Sequence, residues 1–144
     1  MSDDSKLRDF TESLPMALLR ARESVMEHFR PILRSHDITE QQWRVIRALK
    51  GHDDGMEISA LAQECLILMP SLTRILKSLE ARELVRRFSV EGDNRRSLIR
   101  LASKGTALHQ KIAPHSEAEY QKIEQRVGKK QIAKLHEILS SVSG

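Results

Sequence analysis

The side chains best equipped for chemistry in this 144-residue chain are hydroxyls and cations gathered in one short stretch. Ser71, Thr73, Arg74, Lys77 and Ser78 fall, at about 100° per residue, on the side of a helix opposite Leu72, Ile75, Leu76 and Leu79. Pro70 suits the first turn of that helix, where its missing N–H has no partner to lose. The apolar stripe must be buried, which leaves the polar face to solvent. Such a face donates and accepts hydrogen bonds and attracts anions, the chemistry of recognition rather than bond breaking. After Leu84 and Val85 the pattern shifts to strand. Arg86, Phe88 and Val90 alternate, Gly92, Asp93 and Asn94 supply turn residues, and Ile99 and Leu101 end a return strand. The hairpin tip, EGDNRR, carries Arg95 and Arg96.

Between Met69 and Gly105 nine Lys and Arg stand against four acids, although the whole chain is only +4. Basic charge is therefore concentrated on the polar helix and the hairpin. A helix laid in a major groove, with Pro70, Ser71, Thr73, Arg74, Lys77 and Ser78 at its surface and the tip (Asp93, Arg95, Arg96) reaching the adjacent minor groove, would grip a DNA duplex at two points. The plainer alternative is a solvated helix face beside an ordinary hairpin.

This stretch resembles the winged helix-turn-helix of the MarR family of bacterial transcription regulators. The resemblance rests on Asp93-Asn94-Arg95, matching an Asp-x-Arg wing element, and on Leu101-Ala102-Ser103-Lys104-Gly105, matching a Leu-Thr-x-x-Gly element with Ala102 in place of Thr. It extends over nearly the whole chain. The segments ALLRARESVMEHFRPIL, TEQQWRVIRALK and CLILMPSLTRIL are similar to regulators of homoprotocatechuate degradation within that family. Glu83 departs from the family's usual Gly after the recognition helix. If that position is left-handed, Glu costs on the order of 1 kcal/mol relative to Gly.

The rest of the chain must position this head. Its length suits one domain, since domains commonly run to roughly 100 to 200 residues. Only five residues are Phe, Trp or Tyr, so the core must be Leu, Ile, Val, Ala and Met. A long N-terminal helix is expected to end near His36, with a stripe of Leu14, Leu18, Ala21, Val25, Phe29 and Ile32 near the coiled-coil repeat; Pro31 should bend or restart it. Thr39 and Gln42 fit a capping box that opens a second helix ending near Lys50, with Ile38 placed to staple onto Trp43. Gly51 and Asp53-Asp54-Gly55 break the chain. Ile58, Leu61, Ala62 and Cys65 set a short third helix, and the apolar connection Leu66-Ile67-Leu68-Met69 is expected to be packed. Beyond the hairpin, Leu108, Ile112, Ile123 and Val127 mark a fifth helix interrupted or bent at Pro114, and Ile132, Leu135, Leu139 and Val142 a sixth.

The reading is mainly α with a small β-wing: one domain, 1–144, with a winged helix-turn-helix head at 38–105 and terminal helices at 10–36 and 106–144. The terminal stripes have too little head surface to cover them, so a second subunit is expected, and the resemblance implies a homodimer formed by the first, fifth and sixth helices. No apolar run approaches the roughly 18 residues of a membrane span, and the polar N-terminus lacks a signal-peptide core, so a cytoplasmic protein without membrane attachment is expected.

Other chemistry finds little footing. The sequence holds no GxSxG elbow, no phosphate-binding Gly-rich loop and no HExxH, so neither an enzyme nor a cofactor is expected. The single Cys65 excludes an intrachain disulfide and is read as a buried thiol, with a redox switch as its rival. Six scattered histidines form no ligand cluster, and Asp53-Asp54 is read as a solvated turn.

In the MarR family small aromatic acids commonly bind between the dimerisation helices and the head, and a first-helix Arg matching Arg22 can hold the carboxylate. The resemblance thus implies an aromatic carboxylate effector at Arg22, His28 and Trp43, for which the planar guanidinium fork is well suited. Arg22 and His28 lie on opposite borders of the first helix's stripe and could turn inward to a shared crevice or outward to solvent; in the plainer reading, Arg22 pairs with a neighbouring Glu on the surface. The function implied is a dimeric repressor of an aromatic catabolic operon, bound to a pseudo-palindromic operator. A redox- or metal-responsive regulator of the same fold, or a winged-helix protein-interaction module, are the alternatives.

Overall fold

A computed structural model describes residues 6–90 and 92–144; the side chains at 93–95 fall outside that description. A short 3-10 turn, Phe10–Glu12, leads into α1 (Leu14–Ser35), then α2 (Glu40–Lys50), β1 (Met56–Glu57), α3 (Ile58–Cys65), α4 (Met69–Ala81), β2 (Val85–Val90), β3 (Asp93–Leu101), α5 (Ser103–Val127) and α6 (Lys129–Ser143). The mainly helical architecture with a small wing is as the sequence indicates. No helix among the described residues is long and apolar enough to cross a membrane.

The capping box is present in both directions: Thr39 Oγ1 accepts from the Gln42 backbone N–H, and the Gln42 side chain accepts from the Thr39 N–H. Two orphan donors of α2 are thereby satisfied, which fixes where α2 starts and turns Val45, Ile46 and Leu49 into the core. There they meet Leu61 and Cys65 of α3, Leu72, Leu76 and Leu79 of α4, Ile99 of the wing and Ile112 of α5.

The sheet has order β1-β3-β2, both pairs antiparallel, with Met56 opposite Ile99 and Val85 opposite Leu101. The two-residue β1 went unread in the sequence because it is too short to show a period; it exists by pairing with β3. Arg95 and Arg96, expected on the hairpin turn, belong instead to β3. At the wing's return, a Cβ on Gly105 would stand 2.1 Å from the Leu84 carbonyl oxygen. Only glycine allows α5 to start that close to the strand, while the Ala102 N–H donates to the same carbonyl.

Of the alternatives expected at the two prolines, restart and interruption are overturned: α1 and α5 run through Pro31 and Pro114. Both prolines are solvent-exposed, so the carbonyls four residues earlier, at Glu27 and Gln110, lie on outward faces where water can replace the lost bond. The connection between α3 and α4 is not packed as a whole: Ile67 is buried, but Leu66, Leu68 and Met69 are exposed. One inward side chain anchors a turn whose other members point away from the core.

The terminal helices contrast with the head. α6 buries no residue, and α1 buries only Phe29 and Leu33. Leu14, Leu18 and Val25 on α1, and Leu135, Ile138 and Val142 on α6, stand in solvent.

Candidate nucleic-acid interface and effector cleft

The buried stripe of α4 fixes the opposite face outward. Pro70, Thr73, Arg74, Lys77 and Ser78 are exposed and Ser71 is partly so. Thr73 Oγ1 donates to the Met69 carbonyl at 3.0 Å, and Arg74 reaches Ser71 Oγ at 3.4 Å. Neither Arg74 nor Lys77 has a carboxylate partner among the described residues, in contrast to Arg87, which pairs with Glu80 at 3.0 Å, and Lys104, which pairs with Glu83. Cationic groups kept free of internal carboxylates remain available to an external anion.

On the wing, Arg96 is held by Glu57 of β1, with Nη2 2.6 Å from the carboxylate. It braces β3 against β1 as well as adding charge. The side chains of Asp93 and Arg95, the other two wing candidates, lie outside the described residues.

Two contacts tie α4 to the segment leading from α1 into α2. Gln42 Nε2 donates to Ser78 Oγ at 3.2 Å, so Ser78 is shared between the candidate interface and the α2 cap. Arg82 donates to the backbone carbonyls of Asp37 (2.6 Å) and His36 (3.3 Å).

At the junction of α1, α2 and α5 lies a cleft of about 360 Å³, the size of small-molecule sites. Arg22, Phe29, Trp43, Arg47, Cys65 and Tyr120 are among its walls. The structure therefore brings Arg22 and Trp43 together, as the sequence reading required. His28 does not join them. It faces a separate cleft with Glu27 and Arg126, its Nδ1 3.4 Å from Glu119 of α5. Arg22 and His28 stand on opposite borders of the α1 stripe, and α5 packs along α1 so that each border faces its own cleft.

Arg44, Arg47 and Tyr120 went unread. The Arg47 guanidinium donates to the Tyr120 hydroxyl at 3.0 Å, and Arg44 donates to the Cys65 carbonyl at 3.0 Å. Arg44 and Arg47 sit at i and i+3 on α2, one and four residues after Trp43, a spacing that marks a shared helix flank; Tyr120 arrives from 73 residues away and could be found only by folding the chain.

Within the cleft Arg22 is engaged. Its Nη2 lies 3.3 Å from Glu40, whose other oxygen accepts from Arg30, while Arg30 also meets Glu23 at 2.9 Å. Desolvation opposes ionisation of Glu40, but hydrogen bonds from Arg30 and Arg22 outweigh it and hold its carboxyl below the usual range. A cleft with this network has cations in place for a carboxylate and an aromatic wall in Trp43 and Tyr120. Burial, with Glu64 nearby, pushes the Cys65 thiol up despite Arg44, which disfavours the reactive thiolate. No group of three or more His, Cys, Asp or Glu suited to a metal is found among the described residues.

A model described as the MarR family matches residues 36–96, the α2-to-wing portion of the chain. The homoprotocatechuate degradative operon repressor of Escherichia coli is 39% identical over 128 residues, covering 89% of this chain and 86% of that protein. The HTH-type transcriptional regulator FarR of Neisseria gonorrhoeae is 37% identical over 131 residues, covering 91% and 89%. Among solved structures, that of NadR in complex with 4-hydroxyphenylacetate superposes with a TM-score of 0.80 at 35% identity, covering 95% of this chain and 96% of that one.

Proposed function

Because the chain belongs to the MarR family of transcriptional regulators, we propose that it acts as a dimeric repressor of an operon for aromatic-acid breakdown and leaves its operator when a small aromatic carboxylate binds. The observation that carries the reading is the outward face of α4, where Arg74 and Lys77 stand clear of carboxylate partners among the described residues. In a helix-turn-helix this is the helix that enters the major groove. The exposed stripes of α1 and α6 are the surfaces on which a second copy packs, and a twofold dimer presents two such helices to half-sites about one turn of DNA, ~10 bp, apart or a multiple of it.

One relative is named for homoprotocatechuate degradation, and a similar structure holds 4-hydroxyphenylacetate; both point to a phenylacetate-type acid as the effector. Its carboxylate competes with Glu40 for Arg22, and its ring lies against Trp43. Because Glu40 belongs to the first turn of α2, and the α2 cap hydrogen-bonds α4 through Gln42 and Ser78, freeing Glu40 perturbs the seating of the recognition helix. The ligand's leverage equals its differential affinity for the two arrangements.

Footprinting on the DNA upstream of the protein's own gene tests the binding reading. A protected pseudo-palindrome, bound less tightly as salt rises and weakened roughly 5- to 150-fold by Arg74→Ala, is expected. Absence of any salt-sensitive duplex binding would overturn it.

A further inference from the structure

The turn entering α4 is where the head leaves large apolar side chains in solvent. Leu66 is 88% exposed, Leu68 79% and Met69 45%; the other exposed large hydrophobics among the described residues lie on the N-terminal segment, α1, α5 or α6. Two of the three also break local rules. Leu66 adopts φ 53°, the left-handed region, where glycine is favoured and a branched side chain is strained. Leu68 is the N-cap of α4, a position that favours Ser, Thr, Asp or Asn, and it makes no side-chain cap bond. The bend at Leu66 closes the end of α3, but neither leucine side chain is buried against the described residues in return. Local rules broken without internal compensation gather at functional surfaces.

The surroundings say which surface. The patch adjoins the end of α4 that carries Ser71 and Arg74, in a stretch with nine Lys and Arg against four acids, so its partner is polyanionic. A DNA major groove is polyanionic yet displays one apolar group, the C5-methyl of thymine. We propose that Leu68 and Met69, backed by Leu66, read thymine methyl groups in each operator half-site. This rests on the DNA-binding reading above and adds the base chemistry that α4's entrance selects.

The test uses a duplex that the full-length protein recovers from a random-sequence pool, synthesised with thymine or, one position at a time, with uracil, which lacks only the methyl. Removing one contacted methyl should weaken wild-type binding about fourfold, the worth of one buried apolar carbon. Leu68→Ser supplies a capping hydroxyl, so it should fold at least as well as wild type, yet bind the thymine and uracil duplexes alike at the positions it reads. Leu66→Gly, which removes the left-handed penalty, is the second well-folded probe and should narrow the same difference. Salt-sensitive binding by wild type that is indifferent to uracil at every position would overturn the inference and leave the DNA reading intact. Recovery of no duplex would overturn both. A change in sedimenting mass caused by Leu68→Ser without DNA would assign the patch to a contact between chains and overturn the proposal.

Discussion

In the head, Val45, Ile46, Leu61, Leu72, Leu76 and Ile99 are sealed from solvent, whereas α6 along its 15 residues buries nothing and α1 leaves Leu14, Leu18 and Val25 open. The head closes its core from three helices and a three-stranded sheet, with Leu33 of α1 and Ile112 of α5 added, while the terminal helices carry apolar stripes that one chain leaves bare. Apolar surface of this extent on helices at both ends of a chain is what the proposed second copy would cover. Between the two regions, at the α1–α2–α5 junction, lies the arginine-lined cleft. In the proposed dimer, a ligand at this seam would act on the relation between the head and the base formed by the terminal helices.

If the bare stripes belong to a dimer, charging them should have the largest effect. Leu135→Asp with Val142→Asp would bury unpaired carboxylates at the proposed interface, at a cost of several kcal/mol, and should convert the protein to monomers by sedimentation at micromolar concentration. An unchanged mass would remove α6 from the interface. Within the head the most damaging small change should be Gly105→Ala, since its Cβ would meet the Leu84 carbonyl. A loss of about 3 kcal/mol, the upper end of ordinary overpacking, is expected in urea unfolding. A midpoint like that of wild type would show that the α5 start can shift freely.

Smaller effects probe the joints. Glu83 holds φ 59°, so Glu83→Gly should stabilise the head by about 1 kcal/mol, the exposed pair with Lys104 offsetting little of the gain. Lower stability in the variant would mean that the ion pair outweighs the strain. At the α2–α5 contact, His109 stacks on Trp43 with ring centroids 5.4 Å apart. Burial, then Lys50 and Arg47, lowers its pKa, so its contribution to stability is present above the unfolded value of about 6.5 and is lost as pH falls through the folded value. Emission from Trp43, the chain's one tryptophan, should titrate below that value and lose the step in His109→Gln. A midpoint at or above about 6.5 would contradict the burial argument.

The same contrast explains what the sequence could reveal. Helix faces, the Thr39–Gln42 box and the polar side of α4 are written in local spacing, and the structure reproduces them. The bare stripes were legible for the same reason. β1 was not, because two residues carry no period. Nor was the separation of His28 from Arg22, which depends on how α5 lies along α1 and offers Glu119 to one side of that helix and Tyr120 to the other. The exposed turn at Leu66–Met69 misled because apolar composition argues for burial, and only the left-handed bend at Leu66 turns those side chains outward. Local periodicity places residues on faces; which faces meet is decided by long-range packing.

The central claim is that the seam controls the head, and it is tested most directly by fluorescence anisotropy of a footprinted operator duplex titrated with protein at rising 4-hydroxyphenylacetate, for wild type and Arg22→Ala. An allosteric coupling of about 1 to 3 kcal/mol predicts that saturating acid weakens wild-type binding roughly 5- to 150-fold, while Arg22→Ala binds the operator as wild type does without acid and responds little to it. Operator affinity that stays the same with the acid, or that falls equally in both proteins, would contradict the account.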